Sequence, residues 1–254
     1  MLQKQLDAEI EKRKQVESQS TQLIEELQTR NEELDAFAYT VAHDLLNPLS
    51  VLTGLIELTI DNFEGLPPQV IKDNLVMIAE SGDKAITIVQ ELLLLTTASK
   101  ETVPIMPLDM GVIIGETTYR LQRMIDDSQA EIILPKAWPQ AVGYAPWIEE
   151  VWVNYISNAI KYGGKPPVIQ LGAVMLGNHQ IKFWVKDNGL GLTSGEQAQL
   201  FTPFTRLQKN DVEGHGLGLA ITERIIKKLG GDVGIESRGV AEEGCVFSFT
   251  LPIA

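Results

Sequence analysis

The chain has 254 residues, 44% of them hydrophobic and 22% charged, which suffices for one large core or two smaller ones. Its formal net charge of −13 repels nucleic acid phosphates and anionic lipid, so we expect neither as a main partner. The single cysteine, Cys245, fits a reducing compartment, and no apolar run reaches the length of a membrane span. We expect a soluble, cytoplasmic chain, either complete or cut from a longer protein.

Residues 1–36 are rich in Glu, Gln, Lys and Leu and contain neither Gly nor Pro, which predicts a long coiled-coil signalling helix. One heptad column can be completed by either of two nearly balanced sets; the column is Leu6, Arg13, Ser20, Leu27, Leu34 and Val41. One set is Leu2, Val16, Leu23 and Phe37; the other is Ile10, Ile24, Ala38 and Leu45. Two interpretations stay open: a weak coiled coil with polar interruptions, or a signal that switches between the two seams.

Residues 37–102 predict a helical hairpin. The heptads continue to about Asn62, where "DNFEGLPP" supplies turn residues, and a second helical pattern follows until "TTASKETVPIMP" ends it as a linker. Two helices of this size cannot bury both of their apolar faces alone. We therefore expect a homodimer, joined through this hairpin and the coiled coil as a four-helix bundle.

Residues 103–254 have a mixed α/β sequence pattern, with Gly, Pro and β-branched runs. The expected fold class is therefore α+β with the helices first. A helix is predicted for "WIEEVWVNYISNAIKYG" and another, closed by glycine, for "GLGLAITERIIKKLGG". Strands are predicted at "IILP", at "DVGIESR", at "CVFSFTLPI" and on both sides of the turn "GNH".

Three polar positions in "NYISNAIKYGG" carry the first chemical signal. Asn154, Asn158 and Lys161 fall on one face of the predicted helix, at i, i+4 and i+7. An amide oxygen is a suitable ligand for Mg²⁺, and a lysine beside it can meet phosphate charge.

Two glycine-rich segments carry the second chemical signal. "DNGLGL" (187–192) follows a predicted strand; it is either a plain tight turn or a fixed acid that accepts the exocyclic amine of adenine. In "GHGLGLAI" (214–221), glycines open a helix and expose backbone N–H groups that suit phosphate. No Lys-Ser/Thr pair follows, so this segment is not a Walker A loop.

These segments, with "LFTPFTR" (200–206) between them, resemble the N, G1, F and G2 boxes of sensor histidine kinases, and "FAYTVAHDLLNPL" resembles their H box. The resemblance covers roughly residues 30–254. It implies a phosphotransfer hairpin followed by an α/β sandwich of the gyrase and histidine kinase type, here 103–254, with ATP and Mg²⁺ as cofactors.

The resemblance also implies which residues bind the nucleotide. Asn158 would hold Mg²⁺, Asp187 would accept the adenine amine, and residues 192–213 would form a lid over ATP. Carried over by motif position, the site comprises Asn154, Asn158, Lys161, Tyr162, Asp187, Gly189, Gly191, Phe201, Phe204, Arg206, Gly214, Gly216, Leu217, Gly218 and Thr250.

The H-box stretch holds the candidate acceptor. An imidazole is a nucleophile near neutral pH, and a neighbouring carboxylate can fix its tautomer, which assigns these roles to His43 and Asp44. Asn47 lies four residues on, on the same face, where the family uses an amide or hydroxyl to dephosphorylate the partner regulator. Pro48 is expected to kink the helix. Where the family commonly has a basic residue, this chain has Leu46.

The expected function is an ATP-dependent histidine autokinase that passes the phosphoryl group from His43 to an aspartate of a response regulator receiver domain, with a second, phosphatase activity also expected. The alternative is a nucleotide-binding signalling module without kinase turnover. A gyrase-like ATPase is disfavoured because Asn154 stands where such enzymes place a carboxylate base. A serine kinase of the anti-sigma type would not need the H-box hairpin.

Overall fold

The computed structural model describes the backbone of residues 2–100, 102–177, 179–202, 216–240 and 242–254. In the first two helices it describes the side chains of residues 13, 19–25, 27–29, 31 and 35–97. The chain divides into two compact units, residues 1–85 and 86–254.

The first unit is a helical hairpin of α1 (Leu2–Asp61) and the first part of α2 (Pro68–Lys100). The predicted turn is confirmed: the backbone N–H groups of Gly65 and Leu66 both donate to the carbonyl of Asn62, at 2.9 and 3.1 Å. The predicted linker is wrong in its first five residues, because α2 continues to Lys100. No Gly or Pro lies between residues 96 and 100, so nothing there stops the helix.

A polar contact joins the two helices of the hairpin. The Asn74 Nδ2 donates to Thr59 Oγ1 at 2.9 Å, and both side chains are buried. Other positions leave apolar side chains in solvent, as expected for a lone hairpin: Leu46, Leu58, Ile60, Leu75 and Met77.

The coiled-coil segment is helical in its backbone, since α1 is continuous from Leu2 through Pro48. Leu23 and Ile24, one from each candidate seam, are both more than half exposed. Leu2, Ile10 and Val16 lie outside the described side chains. Pairing of this helix and a kink at Pro48 both stay predictions.

The second unit is a five-stranded sheet with helices packed on it. The strand order is β2-β4-β5-β7-β6, antiparallel except for the β2–β4 pair. The strands are β2 (Glu131–Ile133), β4 (Val168–Leu176), β5 (Gln180–Lys186), β6 (Val233–Ser237) and β7 (Cys245–Pro252), and a separate small sheet pairs β1 (Met106–Pro107) with β3 (Val142–Gly143). The helices are α3 (Met110–Arg120), α4 (Gln122–Ser128), α5 (Ala145–Tyr162), α6 (Ser194–Gln199) and α7 (Gly218–Lys228).

The core of this unit lies between α5 and the sheet. The α5 spacing of apolar residues turns Trp152, Tyr155 and Ile156 inward, and all three are fully buried. The ring of Trp152 lies 5.2 Å from that of Phe249 on β7, edge to face, and Phe249 stacks on Phe183 of β5 at 5.3 Å. The apolar face of α5 therefore fixes its polar face toward the opposite side.

The predicted α+β fold class, helical first and then mixed α/β, is confirmed. So is the glycine closure of α7: Gly230 adopts a φ of +80°, and the N–H of Gly231 donates back to the carbonyl of Ile226 at 2.9 Å. Helices α3, α4 and α6 and the β1–β3 pair were not predicted. Among the described residues, every helix lacks the combination of length and apolarity that a bilayer crossing requires.

Candidate functional site

A cavity of about 970 Å³ opens in the second unit between the last part of α2, α5, the end of β5 and the start of α7. It collects residues from all three of the motifs whose surroundings are described. The predicted site residues that line it are Asn154, Asn158, Lys161, Tyr162, Asp187, Gly191, Gly216 and Gly218.

The polar face of α5 forms one wall. The Asn158 Nδ2 donates to Asn154 Oδ1 at 3.3 Å, which orients both amides and leaves Asn158 Oδ1 as an acceptor for a ligand. Lys161 and Tyr162 continue the same wall one turn further on. At Gly218 the start of α7 approaches this wall so closely that a Cβ there would lie 1.6 Å from Asn154 Nδ2.

Asp187 forms the deep end of the cavity, with 6% of its surface exposed. Its Oδ1 accepts two backbone hydrogen bonds, from Gly189 at 2.8 Å and from Cys245 at 3.2 Å. Burial raises the pKa of this carboxyl above its ordinary value, and the backbone donors and Lys186 oppose part of that rise. With Oδ1 held in this way, Oδ2 is the oxygen that can accept from a ligand.

The glycines of "DNGLGL" (187–192) allow the close backbone packing around the cavity. Gly191 has a φ of +75°, which other residues rarely adopt, and a Cβ there would lie 2.9 Å from Ser237 Oγ. A Cβ at Gly189 would lie 2.3 Å from the carbonyl oxygen of Tyr162. Gly189 therefore lets the turn after β5 pack on the end of α5, and it does not itself line the cavity.

Three more predicted residues are described but lie off the cavity. Leu217 is buried and caps α7, its carbonyl accepting from Ile221 at 2.9 Å. Phe201 is half-buried in the turn after α6. Thr250 lies about 17 Å along β7 from Cys245, and its Oγ1 accepts from the backbone of Asp232 at 2.9 Å. Phe204, Arg206 and Gly214 lie outside the described residues.

Sequence reasoning missed a second layer that surrounds Asp187. Cys245 lines the cavity and donates its backbone N–H to Asp187, and burial raises the pKa of its thiol to about 11. Gly244 brings the chain against Asp187, since a Cβ there would lie 2.0 Å from the carbonyl oxygen of Asp187. Ser237 Oγ accepts from Leu192 and donates to the Gly244 carbonyl, at 2.9 and 3.0 Å. These contacts follow from the register of β7 against β5 and β6, which sequence periodicity does not give.

The candidate acceptor lies in the first unit. His43 is exposed on α1, its Nδ1 lies 3.1 Å from Asp44 Oδ1, and Asn47 Nδ2 lies 3.4 Å from the same Nδ1. The two neighbours compete, because the carboxylate needs a proton on Nδ1 and the amide needs a lone pair there. The shorter contact, with a charged acceptor, favours the Nδ1–H tautomer and leaves the lone pair on Nε2.

The residues present fit a magnesium ion only together with a nucleotide. Among the described residues, no group of three or more His, Cys, Asp or Glu is placed to hold a metal. Asn158 supplies one amide oxygen, and Mg²⁺ is commonly held by a single protein ligand plus phosphate oxygens.

The fold and cavity define an ATP-binding domain of a widely shared class. Residues 143–254 match the family model "Histidine kinase-, DNA gyrase B-, and HSP90-like ATPase", and residues 33–101 match "His Kinase A (phospho-acceptor) domain". This chain carries both domains in this order. It therefore has the catalytic core of a sensor histidine kinase.

Curated relatives agree with this assignment. The methanogenesis regulatory histidine kinase FilI of Methanothrix harundinacea is 32% identical over 234 residues, which cover 90% of this chain and 26% of FilI. The phytochrome-like protein Cph1 of Synechocystis is 28% identical over 91% of this chain and 31% of Cph1. The chain thus spans between about a quarter and a third of the length of these relatives.

Solved structures share the fold. The Acinetobacter baumannii histidine kinase AdeS has a TM-score of 0.64 at 20% identity and covers 83% of this chain and 98% of its own. Histidine kinase ThkA, crystallised with response regulator TrrA, has a TM-score of 0.69 at 22% identity and covers 89% of this chain and 64% of its own. ShkA, crystallised with AMPPNP, has a TM-score of 0.62 at 21% identity and covers 82% of this chain and 46% of its own.

Proposed function

We propose that this protein is an ATP-dependent histidine autokinase that phosphorylates His43 and passes the phosphoryl group to an aspartate of a response regulator. One observation carries the proposal: a single chain holds both an exposed imidazole paired with a carboxylate and a cavity whose polar groups match adenine at one end and phosphate at the other. The proposal divides the chain into a signalling helix (1–36), an acceptor hairpin (37–102) and a catalytic domain (103–254).

In the cavity, the nucleotide is read at two ends. The buried Asp187 Oδ2 accepts the exocyclic amine of adenine, which guanine cannot offer at that position. Lys161 meets phosphate charge from the same helical face as Asn158. The N-terminus of α7, opened by Gly216 and Gly218, presents backbone N–H groups to the phosphates.

Asn158 Oδ1 is the protein ligand for Mg²⁺ in this proposal. The ion, when bound with the nucleotide, neutralises the charge of the phosphate oxygens. The chain's own contribution is position: Asn154 holds the Asn158 amide, and Gly218 leaves room for Asn154.

At the acceptor, the Nε2 lone pair of His43 forms an N–P bond with the γ-phosphorus while the bond from that phosphorus to the bridging oxygen breaks and ADP leaves. The proton on Nδ1 stays hydrogen-bonded to Asp44, which stabilises the imidazolium that forms. An aspartate oxygen of the receiver then attacks the same phosphorus and restores the neutral imidazole.

We also propose that two chains associate through the hairpin. The apolar side chains that a single hairpin leaves in solvent, among them Leu58, Ile60 and Leu75, support this, because a four-helix bundle would bury them. Salt-independent self-association, lost when two of these positions are changed to Lys, would test it.

A second activity, dephosphorylation of the regulator, is favoured by Asn47. Its side chain is exposed one turn beyond His43, and its Nδ2 lies 3.4 Å from His43 Nδ1, so a receiver docked at His43 would also meet this amide. Asn47→Ala should slow the loss of phosphate from a phosphorylated receiver while leaving autophosphorylation within about twofold.

The kinase proposal is tested by incubating the 254-residue chain with γ-labelled ATP and Mg²⁺, beside His43→Gln and Asn158→Ala. Acid-labile, base-stable label on the unaltered chain and on neither variant would support the proposal. Nucleotide binding without label would favour a signalling module that lacks kinase turnover, and label retained by His43→Gln would move the acceptor elsewhere.

A further inference from the structure

Asn188 ties together two parts of the chain that the nucleotide must touch at once. Its Oδ1 accepts the backbone N–H groups of Gly164 and Val168, both at 2.9 Å, and its Nδ2 donates to the carbonyl of Pro166 at 3.1 Å. One side chain thus holds Gly164 and Pro166 of the connector between α5 and β4, residues 163–167 (the α5–β4 connector), together with Val168, the first residue of β4.

The two segments joined by Asn188 carry the residues at the opposite ends of the cavity. Asp187 precedes Asn188 directly, whereas Lys161 and Tyr162 precede the connector directly at the end of α5. Packing at this junction is tight: a Cβ at Gly164 would lie 2.7 Å from Asn188 Nδ2 and 2.9 Å from its carbonyl oxygen. A shift of the connector therefore changes the distance between Asp187 and the end of α5.

Asn188 does not line the cavity, so any effect on the ligand passes through its neighbours. Asp187 keeps its own support when Asn188 is lost, because Gly189 and Cys245 hold its Oδ1 through backbone N–H groups. The connector depends on Asn188 more directly, since the N–H of Gly164 and the N–H of Val168, the first residue of β4, both donate to Asn188 Oδ1.

We propose that Asn188 is a positioning residue that sets the spacing between the adenine acceptor Asp187 and the phosphate-facing end of α5, and so couples recognition of the base to recognition of the phosphates. This inference rests on the proposed nucleotide function of the cavity. Loss of the Asn188 side chain should lower the affinity for ligands that span both ends of the cavity much more than the affinity for a ligand that occupies only the base end.

The test compares two ligands on the whole chain: adenosine, followed by ligand-observed NMR, and Mg²⁺-AMPPNP, followed by calorimetry. For Asn188→Ala we expect AMPPNP affinity to fall about tenfold or more and adenosine affinity to change less than about threefold. Asn188→Asp keeps an oxygen for both backbone N–H groups and should recover most of the AMPPNP affinity. Gly164→Ala reaches the same junction from the connector and should reproduce the selective loss.

Gln180→Ala is the matched control. It removes a different hydrogen bond from a side-chain amide to a backbone carbonyl, that of Gln180 Nε2 on β5 to Gly230 at 3.2 Å, away from the cavity. It should leave both affinities unchanged. Equal weakening of both ligands by Asn188→Ala, or Asn188→Asp as poor as Asn188→Ala, would overturn the inference while leaving the nucleotide function intact. An unaltered chain that bound neither ligand would instead overturn the proposed function itself.

Discussion

Gly218 lies directly against Asn154: a Cβ on Gly218 would lie 1.6 Å from the Nδ2 of Asn154. The contact joins the first residue of α7 to the polar face of α5, so the two helices can keep this distance only with glycine at 218.

The first prediction follows from that contact. In Gly218→Ala the new methyl group must displace the Asn154 amide, which breaks its hydrogen bond with Asn158. Affinity for Mg²⁺-AMPPNP should fall about tenfold or more, measured by calorimetry. Gly195→Ala is the control, because a Cβ there meets open space within α6 and should be neutral or stabilising by about 0.5–1 kcal/mol. Equal affinity in both variants would contradict the prediction.

Asp187→Asn should separate binding from stability. The side chain keeps an oxygen for the Gly189 and Cys245 N–H groups but turns a donor toward the cavity, so adenine nucleotide affinity should fall about 100-fold. Because burial raises the pKa of Asp187 when the protein folds, its contribution to stability is fully present below the unfolded pKa and is lost as pH rises through the folded one.

The asparagine variant does not ionise, so it does not lose this stability as pH rises. Thermal unfolding at pH 7.5 should therefore show a midpoint for Asp187→Asn equal to or above that of the unaltered protein, and the difference should shrink as pH falls toward about 4. A variant less stable at pH 7.5 than at pH 4, relative to the unaltered protein, would reverse the sign and refute the argument.

Asp44→Asn should slow autophosphorylation about 10- to 100-fold, since the amide can still accept from Nδ1 but cannot stabilise a charged imidazolium. AMPPNP affinity should not change, because Asp44 lies on α1 and not in the cavity. Asp61→Asn, another exposed aspartate on the same helix, serves as control. A normal rate in Asp44→Asn would remove the carboxylate from the mechanism.

Thiol labelling reports on the deep end of the cavity with no substitution at all, because Cys245 is the only cysteine. Burial raises its pKa to about 11, so at pH 8 the folded protein should react with a thiol reagent about 100-fold more slowly than in urea. Saturating AMPPNP should slow the reaction further, since Cys245 lines the cavity. Rapid labelling of the folded protein would show an open, solvated thiol instead.

Thr250→Val should affect stability and leave nucleotide binding unchanged. The substitution removes the hydroxyl that accepts from Asp232, at a cost of about 0.5–1.5 kcal/mol in the free energy of unfolding by urea. AMPPNP affinity should stay within about twofold. A large loss of affinity would return Thr250 to the adenine site, where its motif position had suggested it belonged.

Some of the site follows from the sequence alone. Helical spacing puts Asn154, Asn158 and Lys161 on one face, and His43 beside Asp44, whatever the rest of the chain does. The turn at Gly65 and the positions along the chain of the strands at "IILP", "DVGIESR" and "CVFSFTLPI" are equally local consequences of apolar period and turn residues.

Only the tertiary structure decided what surrounds Asp187. Cys245 donates to it from 58 residues away, and Asn188 holds a connector 20 to 24 residues upstream, through strand register and backbone contacts that no periodicity encodes. Spacing along one helix is set by its own hydrogen bonds, whereas proximity between strands depends on how the whole core packs.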